Sequence, residues 1–161
     1  MTDTLRSICA QCTHLNNPQL DFLPAKFGRH REIILRDLRE LLSVASSEHV
    51  KACVTLAGSI IEAVLLTFLL WQEARIAALK PGFTLDPTRG LRYYLGIFDD
   101  CFREDFPNLQ FSNEVASFRD FVHINRELRA EPGECREGAI TLLKKVDALV
   151  GELSNYGRDA R

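Results

Sequence analysis

Residues 52–71 read ACVTLAGSIIEAVLLTFLLW. This run is nearly all apolar and about long enough to cross a bilayer, so its reading decides the fold. Glu62 stands at its middle, where a charge costs roughly 2.5–3.5 kcal/mol on insertion scales. The periodic pattern also continues past the apolar run through Gln72, Glu73 and Arg75. A helix apolar on all sides suits the centre of a helical bundle, provided the rest of the chain wraps it. The expectation is a buried central helix of a soluble protein, not a membrane span.

The flanking segments supply the wrapping. Residues 3–15 form a short amphipathic stretch that Asn16-Asn17-Pro18 ends, and residues 18–29 contain Pro18, Pro24 and Gly28 and read as a loop. Residues 30–46 place Ile34, Leu38, Leu41, Leu42 and Ala45 at helical spacing. Ser46 or Ser47 is the expected cap of one long helix over residues 48–79, stopped by Lys80-Pro81-Gly82. Asp86-Pro87 reads as a helix start, with Leu91, Tyr94, Leu95, Phe98 and Phe102 facing inward as far as residue 103. Ser112 is expected to cap a helix over 113–130, which Pro132-Gly133 ends. The last helix covers 136–154, with Ala139, Ile140, Leu143, Val146, Val150 and Leu153 as its buried stripe. No strand-like alternation, internal repeat or low-complexity tract interrupts this order. The fold expected is all-α, a compact bundle of about five helices around a buried apolar one.

Length and composition agree with one domain. The 161 residues are 46% apolar and 26% charged, enough for a single sizeable core. The net charge of −2 and a pI near 6.1 exclude a broadly basic nucleic-acid scaffold, so any RNA contact needs a local patch. The five cysteines are odd in number, and the N-terminal MTDTLRSICAQCTH lacks a long apolar stretch, so reduced thiols in a cytoplasm are expected. Cys9-Ala-Gln-Cys12 with His14 supplies only half of a structural zinc site, which needs four ligands. No metal and no cofactor is expected, and the two cysteines read as ordinary residues of a short N-terminal helix.

One helix carries a chemical signal. On a helical wheel over residues 115–129, Val115, Phe118, Phe121 and Val122 share the core side. Arg119, His123 and Arg126 are spaced i, i+4, i+7 and share a second side at the edge of that core. Guanidinium forks match phosphate oxygens, and an imidazole gives or takes a proton near neutral pH. Such a stripe is also a common solvated surface. Glu62 adds weight, because Thr55, Gly58, Ser59 and Glu62 line one side of the central helix and a buried carboxylate needs a partner. Arg119, His123 or Arg126 would provide one. A purely structural Glu62–Arg119 ion pair is the alternative. A buried, paired Glu62 implies a loss of about 3–5 kcal/mol on removal.

The segment Arg119-Asp120-Phe121-Val122-His123-Ile124-Asn125-Arg126-Glu127-Leu128-Arg129 resembles the R-N-x-I-H-P-N-x-E signature of HEPN-like domains. Ala57-Gly58-Ser59-Ile60-Ile61-Glu62-Ala63-Val64-Leu65 resembles the G-S-x-x-E-x-x-L stretch of the preceding helix in such proteins. The resemblance implies a helical, often dimeric domain, in many members a metal-independent ribonuclease of toxin–antitoxin or phage-defence systems. It implies catalytic roles for Arg119, Asp120 and His123. Arg126, Arg129 and Glu62 then fall to substrate binding. The sequence differs from the signature in leaving only three residues between Arg119 and His123, in Asp120 for Asn, and in Ile124 for Pro. The second implied reading is therefore a catalytically inactive HEPN-like module for dimerisation, nucleotide binding or partner binding.

The resemblance divides the chain into an N-terminal helix and loop (1–29), a bundle (30–155) and a tail (156–161). Expected partners are a second copy of the chain, RNA or a nucleotide, and an antitoxin or operon partner, with no membrane. A homodimer would bring the two His123 side chains together across a two-fold axis. Tyr93, Ile97 and Ile124 are the apolar positions left over for its interface, and Asp120 and Glu127 would neutralise the opposed arginines.

Overall fold

In the computed structural model the apolar run becomes helix α4, Val50–Trp71. The structure describes residues 3–111, 115 and 133–160. Along the chain stand α1 (Leu5–Gln11), α2 (Thr13–Asn16), a 3-10 turn (Ala25–Phe27), α3 (Gly28–Ser46), α4, α5 (Glu73–Leu79), α6 (Leu91–Phe102) and α7 (Glu134–Asp159). There is no strand among the described residues. The protein is an all-α bundle around a buried apolar helix. Helix α4 packs most extensively on α7, then on α3 and α6. It is long and apolar enough to cross a membrane, yet most of its length is buried by these neighbours.

Burial explains why α4 sits at the centre. Val54, Ala57, Ile61 and Leu65 are fully buried, and Phe68 is 1% exposed. Phe68 meets Phe98, Phe102, Phe106 and Tyr156 edge-on at centroid distances of 4.9–5.7 Å. The positive ring edges lie against negative faces, which adds to the area buried. Helices α4, α6 and α7 are thus joined at one end by aromatic side chains.

Several boundaries differ from the sequence expectation. The helix expected over 48–79 bends at Gln72 into α4 and α5. Backbone bonds run through the bend, from Gln72 N to Phe68 O (2.9 Å) and from Ile76 N to Gln72 O (3.0 Å). Asp86 does not cap a helix. Its carboxylate accepts from Thr88 N (2.9 Å) and Thr88 Oγ1 (2.6 Å), closing a local turn. Gly90, at φ +95°, then reverses the chain, and α6 begins at Leu91. Helix α7 starts after Gly133, at φ +89°, and runs to Asp159, beyond the expected 154. Its buried face is wider than one stripe. Leu142 and Leu149 are fully buried while Ile140 is half-buried, because α4 covers one side and α1 and α2 another.

Neither serine caps α4. Ser46 ends α3, and the chain leaves it through a Schellman arrangement: Glu48 N donates to Ala45 O (3.0 Å) and His49 N to Val44 O (2.9 Å). Glu48 occupies the left-handed position at φ 60° that glycine usually takes. For a residue with a Cβ this costs roughly 1–2 kcal/mol. No other non-glycine among the described residues has a positive φ.

The N-terminal segment belongs to the same core. Leu5 and Leu15 are fully buried, and Ile8, Cys9 and Cys12 are at most 4% exposed. They join one cluster with α3, α4 and α7, so the boundary drawn at residue 29 does not separate two cores. Two glycines of α7 admit this segment and the loop after it. The His14 ring lies where a Cβ on Gly151 would stand, and Phe22 does the same at Gly157. Gly157 falls within the expected tail, which is instead the last part of α7.

Candidate functional site

Of the six site residues expected from sequence, Glu62 is the one among the described residues. Arg119, Asp120, His123, Arg126 and Arg129 lie outside them, as do Phe118, Phe121, Val122, Ile124 and Glu127. Val115, at the start of the same segment, is helical and fully buried, on the core side as expected.

Glu62 is half-buried, not enclosed. It projects from α4 toward the start of α6. Its Oε1 lies 4.0 Å from the point where a Cβ on Gly90 would stand. Gly90 is the residue before the first turn of α6 and offers no side-chain cap. A carboxylate near Gly90 stands close to the positive end of a 12-residue helix. Sequence spacing held no sign of this neighbour, because the Asp86–Gly90 turn that brings it in is set by a single positive-φ glycine. The expectation of about 3–5 kcal/mol is tied to full burial, and Glu62 is half-buried; the arginine stripe expected to pair with it lies outside the described residues. The small-and-polar stripe also divides. Gly58 is buried, but Thr55 and Ser59 are exposed, and their hydroxyls donate to Lys51 O (2.9 Å) and Thr55 O (3.0 Å) of their own helix.

The surface considered for a two-fold contact is partly occupied within the chain. Ile97 is 5% exposed and belongs to the core. Tyr93 is half-buried: its ring stacks on Phe83 at 6.5 Å, Arg89 lies over it at 5.6 Å, and its hydroxyl accepts from Asp86 N at 3.1 Å.

The N-terminal cysteines are core residues. Burial, with the negative field of Asp147, pushes the Cys12 thiol up to about 12. Burial also pushes Cys53 up to about 12 and raises Cys9. Such thiols are protonated and unreactive at neutral pH. Among the described residues no three His, Cys, Asp or Glu side chains are grouped as metal ligands.

A cleft of about 570 Å³ lies between α5 and α6. Each of its three cations has a carboxylate: Arg75 with Asp105 (2.6 Å), Lys80 with Asp100 (2.6 Å), and Arg103 with Asp99. Arg75 also donates to Tyr156 Oη (3.0 Å) and covers the Phe102 ring. These guanidinium and ammonium groups are committed to internal pairs, which makes the cleft a poor anion site.

A second charged cluster, absent from the sequence reading, centres on Glu48. Its carboxylate accepts from Arg6 N (2.9 Å), Leu5 N (3.3 Å) and Arg136 Nη1 (2.5 Å), and so joins α1, the α3–α4 turn and the first turn of α7. The Arg6 amide and the Arg136 guanidinium hold this carboxyl below its ordinary value. Its one sequence-level signal would have been a glutamate in the place of a helix-ending glycine. No family model, curated protein or solved structure matches the chain, so a functional assignment rests on its own residues.

Proposed function

We propose that the protein is a HEPN-like domain that cleaves RNA without a metal, with Arg119 and His123 as its working groups. The observation that carries this is the Arg119/His123/Arg126 spacing inside a segment resembling the HEPN signature. The all-helical bundle around an apolar helix bearing Glu62 is compatible with it. In this reading the ribose 2′-oxygen attacks the adjacent phosphorus and the 5′-oxygen leaves. His123 moves the proton, and Arg119 neutralises charge developing on the phosphorane oxygens. Arg126 and Arg129 hold flanking phosphates. The protein works in the cytoplasm as a homodimer, its activity restrained by an antitoxin or operon partner.

Asp120 favours a second reading. A carboxylate directly after Arg119 repels a phosphate, and suits a catalytically inactive module that dimerises or binds a nucleotide or partner protein. Incubation of wild type and His123→Ala with a mixed RNA substrate in EDTA separates the two. Cleavage by wild type, lost in His123→Ala, supports the ribonuclease. Equal absence of cleavage, with RNA or nucleotide binding retained, supports the module.

A further inference from the structure

The two N-terminal helices are too short to stand alone. Helix α1 has seven residues and α2 four, well under the length at which an isolated helix persists in water. Their first N–H groups are nevertheless satisfied. In α1, Ser7 N reaches Thr4 Oγ1 (3.0 Å) in a local capping box, but Leu5 N and Arg6 N go to Glu48, more than forty residues away. In α2, His14 N (2.8 Å) and Leu15 N (2.9 Å) both go to Asp147 Oδ1 of α7. Asn16 Nδ2 then ties α2 back to Cys9 O (2.8 Å) and Cys12 O (2.7 Å). The segment therefore has its own internal bonds and is attached to the bundle by its buried apolar side chains, by the remote carboxylates at its two ends, and by Arg6 Nε donating to Ser46 O (2.9 Å). Glu48 keeps a left-handed backbone that glycine would adopt without strain, which is explained if its carboxylate is what the position needs. A solvent-open cleft of about 480 Å³, lined by Asp3, Arg6, Glu48 and Arg136 among others, reaches the first attachment.

We infer that residues 3–16 are a strap that opens as a unit, released at Glu48 and Asp147, while α3, α4, α6 and α7 stay folded. Opening uncovers the groove between α3 and α7 and brings Cys9 and Cys12 into solvent. It gives the fold a low-energy open state distinct from global unfolding.

Native-state thiol labelling tests this. Cys9 and Cys12 report on the strap, and Cys101, on α6 beside the α5–α6 cleft, is the comparison outside it. Wild type, Glu48→Gly and Asp147→Ala are pulsed with a maleimide, and each cysteine is quantified by peptide mass spectrometry. Glu48→Gly removes the carboxylate while suiting the turn. Asp147→Ala removes the other within a helix. Each variant should speed labelling of Cys9 and Cys12 together by about tenfold or more, the effect of losing charge-assisted hydrogen bonds, with Cys101 unchanged. Acceleration of all three by one factor, or of none, overturns the strap. Amide exchange of wild type keeps the idea testable if a variant misfolds. Residues 5–16 should exchange faster than residues 53–69 and with a smaller urea dependence. Exchange at one common rate overturns it.

Discussion

Helix α4 and the α1–α2 segment both send buried side chains into one core, yet they are held by different forces. Helix α4 is held chiefly by area: its apolar side chains meet neighbours on several sides. The α1–α2 segment contributes fewer buried apolar side chains and is positioned by directional bonds to Glu48 and Asp147. Hydrophobic attraction is non-directional and tolerant, whereas a capping bond depends on two atoms lying within about 3 Å. Loss of stability in the first region should be global, and in the second local.

The largest effect should follow a cavity in the aromatic cluster. Phe68→Ala should cost about 3–5 kcal/mol, read from the midpoint of a urea titration, with all helices lost in one transition. A loss of helix confined to α6 would show that the two regions are not distinct in kind. Filling the Gly157 notch comes next. Gly157→Ala places a methyl against Cβ and Cγ of Phe22, where no rotamer change relieves it, and should cost about 1–3 kcal/mol. Gly151→Ala instead meets the ring of half-buried His14, so the strain falls on the α2 side of the contact. It should speed Cys12 labelling while shifting the denaturation midpoint little.

Glu62→Ala should cost about 0.5–2 kcal/mol, the range for a partly buried carboxylate at a helix start, with Glu62→Gln recovering part of it. A loss above 3 kcal/mol would return Glu62 to the role of an enclosed ion-pair partner. The smallest effect is set by pH. The folded Glu48 carboxyl lies below its ordinary value, so its contribution is complete above the unfolded glutamate value near 4.3 and fades as pH falls through the lower folded one. The charged groups around it are Asp3, Arg6, Arg136 and the neighbouring His49. The Leu5 and Arg6 amide resonances should move in that acid range, and the step should vanish in Glu48→Gln. A step that persists in Glu48→Gln would reassign the effect.

The helical class, the central place of residues 52–71 and most of the inward-facing side chains of α3, α6 and α7 could be read directly from the order of residues. They depend on apolar spacing along one segment, a local property that survives any arrangement of its neighbours. The resemblance at Arg119–Arg129 was likewise legible as a pattern. Other features were decided by the tertiary fold alone. Asp86 looked like a helix cap until Thr88 took its carboxylate, and Gly90 moved the start of α6 and set it beside Glu62. Glu48 and Asp147 carry no motif in the sequence, yet each accepts the first N–H groups of another helix. Those roles join residues 42 and 133 positions apart, and bonds between atoms so distant in sequence exist only once packing has brought their segments together.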